Sequence, residues 1–181
     1  DRYADLAEER AAKEANEARK KELLKIAEVC RRVPWEAPRT FREAVQAVNL
    51  VEVAMYCDEN ASGYNIGRVD QYLYPFYLKD KEARILTDLQ AQELLECLWL
   101  KMAELIYGLS KEGATFYVGY QPYHGVTLGG INKDGEDAAN ELSFMGLHAT
   151  IDLQMHSPTT NVRVNKKNSK EAMEMLQRSF R

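Results

Sequence analysis

The chain has 181 residues, 45% of them hydrophobic and 29% charged, with a formal net charge of −4. This length suits one domain, or one large slab of a bigger one, with enough apolar residues for a sizeable core. The acidic balance argues against a nucleic-acid surface, and with no apolar run of about 18 residues no segment is expected to span a membrane.

Residues Tyr3 to Arg32 read as one helical pattern. Leu6, Ala11, Ala15 and Ala18 form a thin stripe before Leu23, Leu24, Ile26 and Ala27, so the first half needs a partner surface. Nothing here has the form of a signal peptide, and with the cysteine usage below a cytoplasmic protein is expected. The basic cluster Arg19-Lys20-Lys21, like Lys166-Lys167 further on, sits among acidic neighbours and reads as a solvated face. Pro34 and Pro38 break the pattern. Thr40 with Glu43 has the spacing of a capping box, and a strongly apolar helix follows from Phe41 to Cys57, expected to be buried on more than one side.

Asp58 to Gly67 reads as a polar loop, and the aromatic run after it as a short helix ended near Pro75. Thr87 or Asp88 caps a long helix reaching about Tyr107, with Gly108 as its C′ residue. Short strands are expected at Thr115–Tyr117, Val126–Leu128 and Asn161–Val164. A turn at Asp134-Gly135 leads into a helix over Glu136–Asp152, and another helix begins near Ser169. Cys30, Cys57 and Cys97 include no C-x-x-C pair and fall on apolar helical stretches, so all three read as reduced, buried and inert thiols. Both ends, Asp1 and Arg181, read as cut.

Four groups of residues stand out as candidates, some for chemistry and some for structure. In the loop before Arg68, small residues would let backbone approach a ligand, and Ser62 and Asn65 offer uncharged hydrogen bonds; a plain inter-helix loop is the other reading. Arg68, Asp70 and Gln71 read as a buried ion pair and hydrogen-bond network that fixes this loop. Tyr123 and His124 precede the strand ending in Gly129-Gly130, either as an aromatic wall with polarity beside it or as ordinary core. Asp134, Glu136 and Asp137 suit the N-terminus of the helix that follows as capping groups. His148 and His156 lack partners at ligand spacing, so no metal is expected.

The run Gly67-Arg68-Val69-Asp70-Gln71-Tyr72-Leu73-Tyr74-Pro75 resembles a signature of the glycyl radical enzymes, the superfamily of pyruvate formate-lyase and the radical dehydratases and decarboxylases. Tyr120 to Gly130, the run Asp134-Gly135-Glu136-Asp137-Ala138-Ala139-Asn140-Glu141-Leu142-Ser143, the Pro-rich stretch before Phe41, and Pro158 with Asn161-Val162-Arg163-Val164 resemble further segments of that family. The likeness runs from Tyr3 to about the last helix.

The resemblance implies an α/β, helix-rich fold: part of a barrel of two five-stranded half-sheets wrapped by helices. Residues 1–181 would form one partial domain, with a mainly helical shell over 1–112 and mixed strand and helix over 113–181. It implies a parent enzyme of anaerobic metabolism that is a C–C, C–O or C–N lyase on a small organic molecule. The Asp-Gln-Tyr-x-Tyr-Pro run favours the branch that does not act on pyruvate. The parent would carry a backbone glycyl radical, installed by a separate iron–sulfur activating enzyme that cleaves S-adenosylmethionine, and the radical would pass to a Cys thiol. Neither a Gly-Cys-x-Glu-like loop nor an Arg-Val-x-Gly-Tyr-like loop occurs in this sequence, so both are expected beyond Arg181 and the chain alone is expected to be inactive and to bind no cofactor.

By the same resemblance Ser62, Gly63, Tyr123 and His124 are substrate-binding candidates. Gly63 falls where several dehydratases place a substrate-binding hydroxyl, and a Gln there is expected to fill the cavity while sparing the fold. Expected partners are the rest of the parent polypeptide, the activating enzyme and the small-molecule substrate, with a homodimer left open. The alternative is a non-catalytic helical interaction module that retains part of this fold.

Overall fold

The computed structural model describes residues 1–59, 63–106, 108–117, 123–168, 170 and 173–174. The first helical pattern is two helices rather than one: α1 (Arg2–Lys13) and α2 (Glu17–Arg32). Asn16 stops the run because its side chain accepts from Ala18 N and Arg19 N and so caps α2. The partner surface that the Ala stripe needs is therefore the second half of the same segment. Ala4 and Ala7 pack on Ala27 and Cys30, and Leu50 joins this small core to the next helix.

That helix, α3 (Phe41–Glu59), runs two residues past its expected end. Glu43 N bonds Thr40 Oγ1 at 3.2 Å, but the Glu43 carboxylate takes the Arg39 amide at 2.7 Å instead of completing the box. The Phe41 amide is capped from a distance by Asp80 Oδ2 at 2.7 Å. α3 packs on two sides, as expected: Leu50 faces the small core, while Phe41, Val45 and Val48 face a larger one, and only Val51, Met55 and their neighbours on the remaining surface are exposed.

Four expectations fail between α3 and the second strand. Asn65–Arg68 is a strand, β1, because β2 (Gly125–Gly129) supplies it with a parallel partner. The aromatic run is not one helix ended by Pro75: α4 (Val69–Tyr72) ends first, and Pro75 lies in the first turn of α5 (Tyr74–Glu82), where its missing N–H costs nothing. α6 (Asp88–Glu104) has the expected Thr87 cap, completed by Gln90, but closes on Leu105, so Gly108 is not its C′ residue. Thr115–Tyr117 belongs to a helix, α7 (Lys111–Tyr117), started by Ser110, whose Oγ accepts from Gly113 N at 3.0 Å. Local capping outweighs the β-propensity of Thr, Phe and Tyr there.

The Asp134-Gly135 turn is present, but α8 (Glu141–Leu153) starts five residues later than expected. Asn140 caps it, accepting from Leu142 N and Ser143 N, while Asp137 accepts from Ala139 N within the turn. The carboxylates of Asp134, Glu136 and Asp137 are thus not the caps they were expected to be. β3 (Thr159–Arg163) completes a parallel sheet of order β1-β2-β3, with Val126 opposite Thr160 and Leu128 opposite Val162. The helix expected from Ser169 falls largely outside the described residues.

The main core lies where α3, α5, α6 and α8 meet the sheet. Phe41, Tyr77, Trp99, Met102, Leu128 and Leu142 are its large buried members. Cys30 is buried as expected, and burial raises its thiol pKa. Cys57 and Cys97 are exposed, contrary to expectation, because each lies on the solvent side of its helix.

Candidate functional site

The two parallel strands β1 and β2 begin side by side, and this places their preceding residues in contact. A β-carbon built on Gly63 would stand 2.4 Å from the carbonyl carbon and oxygen of Tyr123, a separation that no side chain tolerates. Gly63 is therefore small because backbone passes over it, not because a cavity lies beyond it. The expectation that a Gln at this position would spare the fold does not hold. Gly125 N then donates to Tyr64 O at 2.9 Å, and Thr159 N donates to His124 O at 2.7 Å, which ties all three strand starts together.

Of the four candidate residues, Gly63, Tyr123 and His124 converge at this edge; Ser62 lies outside the described residues. Tyr123 is 60% exposed, so its ring is available. The His124 side chain is fully buried. Its Nδ1 lies 2.8 Å from Glu52 Oε1, and the Tyr56 ring stands 5.6 Å away. Tyr64 fixes the end of α3 to β1, its hydroxyl bonding Met55 O and Glu59 Oε2 at 3.0 Å each. Burial, then the Glu59 carboxylate, pushes this phenol above its ordinary value.

At the other end of the strands the Arg68–Asp70–Gln71 group forms the expected network, though with different partners. Arg68 gives its guanidinium hydrogens to the carbonyls of Gly129 at 2.7 Å and Ile131 at 3.2 Å rather than to Asp70. The wholly buried Asp70 accepts from Gly129 N at 2.6 Å and from Ser143 Oγ at 2.5 Å. Burial raises its carboxyl, against the opposing pull of Ser143 and Gly129. Gln71 Nε2 donates to Ala138 O at 2.8 Å. Gly129 and Gly130 take φ of +67° and +96°, and the Arg68 guanidinium lies 3.4 Å from where a Gly130 β-carbon would be, so conformation and space both favour glycine.

A cavity of about 360 Å³ opens between α3 and β1, walled by Val48, Val51, Glu52, Met55, Ile66 and Tyr72 among others. Tyr72 donates to Ile66 O at 3.0 Å, and burial followed by the nearby Glu52 and Asp70 charges raises its phenol. Glu52 escaped the sequence reading. Its only signal there is a carboxylate set between Val51 and Val53 in an apolar helix. Among the described residues no group of His, Cys, Asp and Glu could hold a metal, and no helix is long and apolar enough to cross a membrane.

Residues 1–179 match the family model described as pyruvate formate lyase-like. The chain is 40% identical over 172 residues to trans-4-hydroxy-L-proline dehydratase of Clostridioides difficile, covering 92% of this chain and 21% of that enzyme. It is 40% identical over 167 residues to isethionate sulfite-lyase of Desulfovibrio desulfuricans, covering 91% of this chain and 20% of the other. Among solved structures, a glycyl radical enzyme from Archaeoglobus fulgidus superposes with a TM-score of 0.90 at 41% identity, covering 99% of this chain and 23% of that one. The chain thus spans about a fifth of the length of the curated relatives it matches. The helix-rich layers around a short parallel sheet correspond to part of the glycyl radical enzyme barrel. This chain belongs to the pyruvate formate lyase-like family, and its relatives are glycyl radical dehydratases and lyases.

Proposed function

We propose that residues 1–181 form one partial domain of a glycyl radical lyase, dehydratase or decarboxylase acting on a small organic molecule, and that they supply part of its substrate-cavity wall. The observation that carries this reading is the contact between Gly63 and the Tyr123 backbone. It joins two segments, each flagged separately in the sequence, at one edge of the parallel sheet, and leaves the Tyr123 ring exposed beside them. A wall of this kind needs an amphipathic surface that packs against a ligand and still offers a hydrogen bond, which a tyrosine provides. In this reading Tyr123 and Ser62 touch substrate, Gly63 sets the spacing of the wall, and His124 supports it from behind.

The glycyl radical, once installed by an S-adenosylmethionine-dependent iron–sulfur activating enzyme, supplies the hydrogen-abstraction chemistry. Neither radical-bearing motif occurs in these residues, so none of this chain's own side chains is assigned a chemical step. What these residues do is bind, orient and exclude water. The protein works in the cytoplasm, with its activating enzyme and the rest of the parent polypeptide as partners.

The test is anaerobic activation of the full-length protein that carries this chain. A glycyl radical signal by electron paramagnetic resonance is expected, together with turnover within a panel that includes trans-4-hydroxy-L-proline and isethionate. Residues 1–181 alone should show neither. Turnover by the isolated chain, or no radical in the full protein, would sink the reading. Unchanged kinetics in Tyr123→Ala would remove this segment from the cavity.

A further inference from the structure

Glu52 lies mid-helix on α3 and is 2% exposed. A carboxylate so placed is costly unless another polar group compensates it. Its neighbour is His124 Nδ1, 2.8 Å from Oε1. Two lone pairs repel at that distance, so a hydrogen lies between the atoms. A ring nitrogen facing a carboxylate is the one that carries the proton. Tyr64 N also approaches the same Nδ1, at 3.4 Å, but the carboxylate at 2.8 Å is much the nearer partner, and a protonated Nδ1 has no lone pair for the amide. The other ring nitrogen, Nε2, is buried and has no hydrogen-bond partner among the described residues.

The imidazole is held from a second side by Tyr56, four residues after Glu52 on the same helix. The His124 backbone meanwhile holds β3 through Thr159 N. His124 thus links α3, through its side chain, and β3, through its backbone, to the start of β2, immediately behind Gly63 and Tyr123.

We propose that Glu52 is a positioning residue: it accepts the Nδ1 proton, fixes the tautomer and ring plane of His124, and through them orders the Gly63–Tyr64 and Tyr123–Gly125 segments of the cavity wall. Nε2 is then the nitrogen left free to accept. The proposal rests on the cavity-wall reading above for its consequence, but not for its geometry.

The experiment uses the full-length protein labelled with ¹⁵N-histidine, the His124 signals being identified by their loss in His124→Asn. In the native protein Nδ1 should be protonated and Nε2 bare. Glu52→Gln, whose amide oxygen still accepts, should keep that pattern. Glu52→Leu should release the proton to Nε2 and raise amide exchange at Tyr64 and Gly125 on the order of tenfold. A proton on Nε2 in the native protein overturns the proposal. So does a Glu52→Leu variant with unchanged signals and exchange. If Glu52→Leu does not fold, the native and Glu52→Gln spectra decide alone. Should these signals behave as expected while Tyr123→Ala leaves turnover unchanged, the cavity-wall reading falls and the Glu52–His124 pairing stands.

Discussion

Gly63 and Tyr123 touch backbone to backbone, with no room for a β-carbon between them. Gly63→Ala should therefore act through the main chain. We expect a loss of about 1–3 kcal/mol in urea unfolding of the full-length protein, as overpacking against an unyielding neighbour gives. Turnover should fall with it. Faster amide exchange confined to the starts of β1 and β2 would locate the damage, and a variant as stable as the native protein would show that the two segments separate freely.

Asp70 and Ser143 bind each other at 2.5 Å in full burial, and Asp70 also holds the Gly129 amide. Asp70→Ala should cost about 1–3 kcal/mol or more, since it leaves buried donors unpaired. Ser143→Ala removes one donor and should cost less. In the double variant the two losses should fall well short of additive, because both remove the same bond. A denaturation cycle with simple additivity would argue against the pairing.

Glu43 supplies a pH dependence. Burial works to raise its carboxyl, but the Arg39 amide and guanidinium, with Arg32, outweigh that and hold it below its usual 4.5. A carboxyl depressed in the folded state contributes stability above its unfolded pKa and loses it as pH falls through the folded one. The stability advantage of the native protein over Glu43→Gln should thus be full at pH 7 and shrink progressively below about pH 4.5. Chemical unfolding at several pH values measures it; an advantage that does not change with pH would contradict the assignment.

Asp80 caps α3 from α5, through a 2.7 Å bond to the Phe41 amide, and is itself 2% exposed. Asp80→Ala should destabilise by about 1–2 kcal/mol, the scale of a lost N-cap. Hydrogen exchange should report fraying in the first turn of α3 alone.

Gly146 brings α8 against β2: a β-carbon there would meet Leu128 Cδ1 at 3.0 Å and Trp99 Cζ2 at 3.6 Å. Gly146→Val should destabilise by about 1–3 kcal/mol through overpacking. Pairing it with Leu128→Ala should recover part of the loss, and a thermal-unfolding series would show whether it does.

How much of this was legible in the sequence depends on what each element needs. The Thr87 cap and the apolar periodicity of α3 and α6 are local, so those helices are legible, whereas the Asn140 cap is obscured by the acidic run before it. The Gly67-to-Pro75 run likewise declared its family, and its buried network, before any coordinates. Asn65–Arg68 could not be read as a strand, because its pairing partner lies 60 residues on and four residues carry too little pattern alone. A still longer separation in sequence hides the meeting of Glu52 with His124: a lone carboxylate in an apolar helix says only that something must compensate it. Local hydrogen bonding and periodicity are written along the chain, and they set the helices. Long-range burial decided the rest — which cysteines face solvent, why Gly63 must be glycine, and which side chain stands behind Tyr123.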